Sequence, residues 1–258
     1  MNEAFVIDGA TKNKLLKQDP NSANLLKPFL EGKDLKKWHA QPRDLWLILM
    51  PKGWTQAQIG ELLDEARSWQ WLQVHYSAIA QWLKPFADVA QKRCDKGEFW
   101  WELRACAYYE KFEQPKIVYP VISQGAKFSI ENISAFSNDK TFMLNSADKF
   151  CLGLLNSKAI WFIVSTTFSS LRGGVWRFEL RGQDMEKLPI PPATPEQKQH
   201  IAQLAEQSQT LAEQRYALEN KIRRRFPDLN VGKLTQKLEC WWQSDFAALQ
   251  TNRVEEIV

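Results

Sequence analysis

Near residue 190 the chain changes character: Leu188-Pro189-Ile190-Pro191-Pro192 places three prolines in four residues. Proline lacks a backbone N–H and fixes φ, so no regular element continues through such a run. The run divides the chain into a body over residues 1–187, a junction over 188–193 and a C-terminal region over 194–258. Downstream, Thr194-Pro195-Glu196-Gln197 supplies a helix start: threonine as N-cap, proline in the first helical position, glutamine three residues after the cap. Ile201, Leu204, Ser208, Leu211, Arg215, Leu218 and Ile222 then recur at spacings of three and four, a heptad seam. Arg223-Arg224-Arg225 and Pro227 end that helix. A last helix is expected from about Val231 to Leu249, carrying Leu234, Leu238, Trp242 and Phe246. The seam packs most simply on that last helix, and dimerisation through residues 196–225 is the alternative.

Upstream, short apolar runs alternate with turn residues. Phe5-Val6-Ile7-Asp8 and the buried run Trp46-Leu47-Ile48-Leu49-Met50 read as strands. Thr55 is expected to cap a short helix with Ile59, Leu62, Leu63 and Ala66 on one side, and a further helix is expected over about Ser77 to Cys94, interrupted at Pro85. Lys116 to Ile122 reads as a strand, with Pro120 pointing to an edge or a bulge. Phe128–Ile130 and Thr141–Leu144 are further strand candidates, and Ser146 is expected to cap a helix reaching about Asn156. A second apolar helix follows, then the turn Arg172-Gly173-Gly174 and a strand over Val175–Leu180. The fold class expected is α+β: a mixed, sheet-containing body followed by a C-terminal antiparallel helix pair.

Composition narrows the function. Hydrophobic residues are 44% and charged residues 25%, the balance of a soluble globular protein. There are 34 Lys and Arg against 30 Asp and Glu, a formal net charge of +4, a mild basic bias compatible with a polyanionic partner. Tryptophan is over-used: 12 Trp beside 14 Phe and 5 Tyr, large flat surface for either a core or base stacking. Cys94, Cys106, Cys151 and Cys240 form no Cys-x-x-Cys pair and His39, His75 and His200 are scattered, so zinc ligation is not expected and reduced, mostly buried thiols are. No signal peptide is read at Met1-Asn2-Glu3-Ala4-Phe5, and Phe150–Phe168 is broken by Asn156, Ser157 and Lys158, so two core helices rather than a membrane span are expected there. A cytoplasmic protein is the expectation.

Catalytic patterns are missing from the sequence. None of the 11 glycines forms the Gly-x-Gly spacing that lets backbone approach a nucleotide or methyl donor. Pro191-Pro192 lacks the preceding asparagine and following aromatic that would hold a flipped adenine. Glu196-Gln197-Lys198 matches half of a nuclease pattern but is better explained as the first turn of a capped helix, and no Gly-x-Ser-x-Gly is present. No catalytic residue, metal site or cofactor site is assigned to this chain.

Several segments occur in an order that carries a resemblance: Asn2-Glu3-Ala4-Phe5-Val6-Ile7-Asp8, Pro28-Phe29-Leu30-Glu31-Gly32-Lys33-Asp34-Leu35, Trp100-Trp101-Glu102-Leu103-Arg104, Pro115-Lys116-Ile117-Val118-Tyr119-Pro120, Leu155-Asn156-Ser157, Gly173-Gly174 and Leu188-Pro189-Ile190-Pro191. Over nearly the whole chain this resembles the C-terminal target-recognition domain of TaqI-like and Eco57I-like adenine-N6 DNA methyltransferases. The resemblance implies a sequence-specific double-stranded DNA-binding domain working beside a methyltransferase domain of the same parent polypeptide. It places the catalytic Asn-Pro-Pro-aromatic motif and S-adenosylmethionine upstream of this chain. The helix after the proline run is similar to spacer helices of type I specificity subunits, so an assembly module is the alternative function.

DNA recognition needs cations for phosphates and side chains that reach base edges. Arg172-Gly173-Gly174 with Trp176 and Arg177 is the first candidate surface, against a plain solvated turn. Lys116 and Tyr119, with Gln124 and Lys127 beyond the strand, form a second, against a polar hairpin loop. Lys33, Lys36, Lys37 and Trp38 form a third, against a solvated lysine face with a tryptophan lid. Of Trp100 and Trp101, one is expected in the core and the other propping a loop.

Overall fold

A computed structural model describes residues 2–171 and 176–225. It comprises two compact units, one through Gln209 and one from Thr210. The first unit opens with a single helical turn, α1 (Asn2–Phe5), which takes Phe5 out of the expected strand and runs into β1 (Val6–Asp8). The Asp8 carboxylate accepts the Thr11 N–H at 2.8 Å and caps α2 (Gly9–Gln18), a helix whose polar sequence gave no periodic signal. After a 3₁₀ stretch come β2 (Leu26–Leu30) and β3 (Leu45–Ile48).

Four short helices follow: α3 (Trp54–Ile59), α4 (Glu65–His75), α5 (Ser77–Leu83) and α6 (Ala87–Gln91). Pro85 restarts the chain between the last two through a 3₁₀ turn, as proline should. Thr55 is not a cap. Gly53, with φ of +78°, precedes α3, and Thr55 sits fully buried inside it. Leu62 does not face the core either; Gly60 ends α3 in the left-handed region and leaves Leu62 83% exposed.

The middle of the chain supplies β4 (Lys116–Pro120), β5 (Ile122–Ser123), β6 (Ser129–Glu131), β7 (Phe136–Ser137) and β8 (Thr141–Leu144). Then come α7 (Lys149–Leu155), α8 (Lys158–Thr167), β9 (Ser170–Leu171), β10 (Arg177–Glu179), the turn α9 (Gly182–Met185) and the long α10 (Pro195–Arg225). Asp148, not Ser146, caps α7, accepting the Phe150 N–H at 2.9 Å. Thr194 and Gln197 close the expected reciprocal cap at the head of α10. The last helix expected over 231–249 lies outside the described residues. Among the described residues no single helix is long and apolar enough to cross a membrane.

The strands form three sheets, ordered β1-β3-β2-β7, β6-β4-β8 and β5-β10-β9. All pairings are antiparallel except β2 with β7. β4 is central rather than an edge. Pro120 is tolerated because β6 pairs only as far as Val118, so its missing N–H costs no bond on that side.

Tryptophan fills the first core. Trp46, Trp54, Trp69, Trp71, Trp82, Trp100 and Trp101 all join the cluster built on β1–β3 and α1–α6. Trp100 and Trp101 are both buried, against the expectation that one would prop a loop, because the chain at 99–102 turns instead of running extended. Trp101 stacks on Phe99 at 4.6 Å between centroids and meets Trp69 at 5.1 Å, while its indole N–H donates to Thr55 Oγ1 at 2.9 Å. Glu102, also buried, accepts the N–H groups of Gly53, Thr55 and Glu98 at 2.9–3.0 Å. A second core joins β4, β6, α7, α8 and β10 around Tyr119, Phe128, Leu152, Ile160, Val164 and Phe178. On its flank α10 packs so closely that a Cβ at Gly153 would fall 2.7 Å from Ile201 Cγ2. Ala205 is buried there, and Lys149 pairs with Glu206.

Candidate nucleic-acid interface

Three segments distant in sequence meet at one backbone carbonyl. The Phe128 oxygen accepts the Trp38 N–H at 3.0 Å and the Asn156 Nδ2 at 2.9 Å, and Asn156 Oδ1 accepts the Phe128 N–H at 3.3 Å. Asn156 is 1% exposed, so both ends of its amide are committed inside the protein. Trp38 reaches this contact with φ of +74°, a left-handed conformation that costs an L-residue roughly 1–2 kcal/mol. Its ring packs on the second core. The result is a rigid junction of the 36–38 loop, the 126–128 loop and the α7–α8 corner.

Each of those segments presents lysine. Lys36 and Lys37 precede Trp38, Lys127 precedes Phe128, and Lys158 opens α8 after the cap made by Ser157, whose Oγ accepts the Ile160 N–H at 3.1 Å. Burial pulls Lys37 below the ordinary lysine range, and the neighbouring Lys158 charge adds to the fall. Burial likewise lowers Lys127, with Lys36 adding to it. Lys37 and Lys158 also line one cavity. Among the described residues none of the four is in an ion pair with a carboxylate, so the junction carries positive charge that a polyanion can meet.

Beside them lies an open cavity of about 300 Å³ lined by Lys37, Ala126, Asn156, Ser157, Lys158, Trp161, Phe162 and Ser165. Residues 158, 161, 162 and 165 follow helical spacing, so one face of α8 forms the cavity wall. Trp161 turns edge-on to Phe178 at 5.8 Å, and Phe162 is 68% exposed. Lys158, Trp161 and Phe162 were not singled out from sequence. The Ser157 cap and the three-four spacing behind it were the available signal.

The sequence candidates divide. Lys116 and Tyr119 are corrected, since β4 is central and both side chains are buried. The Lys116 ammonium pairs with Glu131 and donates to the Phe112 carbonyl at 2.6 Å. Burial pushes the Tyr119 phenol up to about 12, and its ring lies 5.3 Å from Phe128. Neither can meet a nucleic acid without unfolding the sheet. Lys33 is exposed but held by Glu31 at 3.0 Å; burial raises that carboxyl, yet Lys33 and Arg43 outweigh it and hold it low. Lys36, Lys37, Trp38 and Lys127 are brought together at the junction.

Gln124 is exposed at the turn after β5. Because Ser123 pairs antiparallel with Phe178, the chain at Gln124 runs toward the Arg177 end of β10. Arg177 is exposed there, and Trp176 is 75% exposed with its ring 6.5 Å from Phe178. Arg172, Gly173 and Gly174 lie outside the described residues. Among the described residues no group of three or more His, Cys, Asp or Glu is placed to hold a metal.

A family model, described only as a domain of unknown function, matches residues 194–255. No curated protein matches the chain. A solved structure of the Type IIL restriction-modification enzyme MmeI in complex with DNA is similar over 78% of this chain and 25% of that one, at 14% sequence identity and a TM-score of 0.49. The chain thus spans about a quarter of the length of that protein. Residues 27–190, more than half of the sequence and including the whole lysine junction, match the model of the TaqI-like C-terminal specificity domain, and the chain belongs to that family.

Proposed function

We propose that this chain is the double-stranded DNA target-recognition domain of a restriction-modification adenine-N6 methyltransferase. The observation that carries the reading is the meeting of the segments that carry Lys36, Lys37, Lys127 and Lys158 at one rigid junction, with none of the four in an ion pair among the described residues. Such a surface attracts phosphate, and clustered ammoniums release counterions when a polyanion binds. The lysines fix the domain on the duplex. Base reading falls to the neighbouring edge where Gln124, Trp176 and Arg177 stand exposed, since Gln and Arg have donor and acceptor geometry for base edges. Methyl transfer, and the S-adenosylmethionine it consumes, belong in this reading to a catalytic domain of the same parent polypeptide.

Selection of bound duplexes from a random pool tests it. Enrichment of one defined sequence is the expected result. A pool that stays random after repeated rounds contradicts target recognition, whatever the affinity. Self-association through 196–225 is a second reading, favoured by one observation: Leu204, Leu211 and Leu218, seven apart on α10, are 49%, 65% and 58% exposed. Sedimentation of the full chain against Leu211→Lys would show a mass change if that row pairs two copies, and none if it does not.

A further inference from the structure

Phosphate binding leaves one part of the lysine face unused. Phe162 is 68% exposed, yet its helix is fixed: Ile160 and Val164 are buried, and Trp161 is held against Phe178. The ring therefore cannot withdraw into the core. A single exposed phenyl is ordinary on a protein surface. Its position is not, because it shares a cavity with Lys37 and Lys158.

The other polar groups of that cavity are already committed. Asn156 bonds Phe128, Ser157 Oγ accepts from Ile160, and Ser165 Oγ donates to the Phe162 carbonyl at 2.8 Å. What the surface still offers is the Lys158 ammonium, and that of Lys37 at 5.4 Å from the Trp38 ring, around an apolar, aromatic wall. A free phosphate would leave the rings unused, and an apolar peptide would leave the cations unneutralised. A duplex uses both: phosphates on its outside, stacked planar bases within.

We propose that Phe162 enters a base step of the bound duplex while Lys37 and Lys158 hold the flanking phosphates, so that the domain unstacks and bends its target. The proposal rests on the target-recognition reading above. It adds a source of specificity that needs no hydrogen bond to a base edge. Pyrimidine–purine steps unstack and kink most easily, so the wedge selects such a step by deformability.

The test uses the duplexes enriched from the random pool, with 2-aminopurine replacing each adenine in turn and a dye pair at the two ends. Binding of the full chain should raise 2-aminopurine fluorescence at one step and shorten the end-to-end distance. Phe162→Ala should abolish both signals and weaken affinity roughly tenfold, the scale of one lost base–aromatic stack. The salt slope of binding should stay as in the unaltered chain. Phe162→Trp should keep both signals, and Lys37→Ala should lower the salt slope while retaining the fluorescence rise at saturation. Equal signals from the unaltered chain and Phe162→Ala, or bound DNA without any responding step, would overturn the wedge and leave target recognition standing. Absence of any duplex binding at low salt overturns target recognition itself.

Discussion

The tryptophan-packed core and the lysine junction treat charge in opposite ways. In the first, buried Glu102 is matched by three backbone N–H groups, and the Arg93 guanidinium donates to the carbonyls of Trp100 and Glu102 at 2.9 and 2.8 Å. Lys116, within β4, has Glu131 and a carbonyl. These charges are engaged inside the protein, Glu102 and Arg93 by hydrogen bonds and Lys116 by an ion pair. At the junction, Lys37 and Lys127 are partly desolvated beside other lysines, with no ion pair to a carboxylate among the described residues. Charges engaged internally hold a fold; cations outside any ion pair are open to an anionic partner. Substitutions in the two regions should therefore move different observables.

The largest effects belong to the internally engaged charges. Lys116→Met leaves Glu131 buried without its cation and should cost about 3–5 kcal/mol in chemical denaturation. Duplex affinity per folded molecule should be unchanged, and an altered salt slope would return Lys116 to the interface. Asn156→Ala bridges the regions. It strips the Phe128 N–H of its partner inside the protein and should cost about 1–3 kcal/mol. It should also loosen the lysine-bearing loops, so that binding weakens more than stability alone predicts.

Lys37→Ala and Lys158→Ala should each lower the slope of log affinity against log salt by about 0.9 if each lysine meets one phosphate. Their stabilities should stay within about 0.5 kcal/mol of the unaltered chain. A stability loss without a slope change would make the lysines structural.

The smallest effect is on pH. The folded pKa of Lys37 lies below its unfolded value, so DNA affinity should fall as pH rises through that lowered pKa, sooner than for an ordinary lysine. Stability moves the other way. In the same window the unfolded chain binds more protons, so rising pH favours the folded state. Lys37→Arg, which keeps its charge, should flatten the alkaline loss of affinity measured at fixed salt.

Much of the frame was legible because it is local. Periodicity and proline chemistry find β4, β8, the break at Pro85 and the cap at Thr194. Helix α2 was not legible, because a single Asp8 cap and tertiary packing fix an otherwise polar run. The burial of Lys116 was hidden as well: its sequence neighbours do not reveal Glu131 on the adjacent strand. The junction is non-local in the same way, since only the folded chain carries Asn156 to Phe128 and Lys158 to Lys37. Lys36, Lys37, Trp38 and Lys127 could be suspected from residue type; their meeting point could not.

The account turns on the junction lysines acting together on phosphate. The most direct measurement is the salt dependence of duplex binding by the full chain and by a variant with Lys36, Lys37, Lys127 and Lys158 all changed to Ala, with both folds verified by circular dichroism. The account predicts a steep negative slope for the unaltered chain and a loss of several slope units, with most of the affinity, in the variant. Identical slopes and affinities for two folded proteins would contradict it.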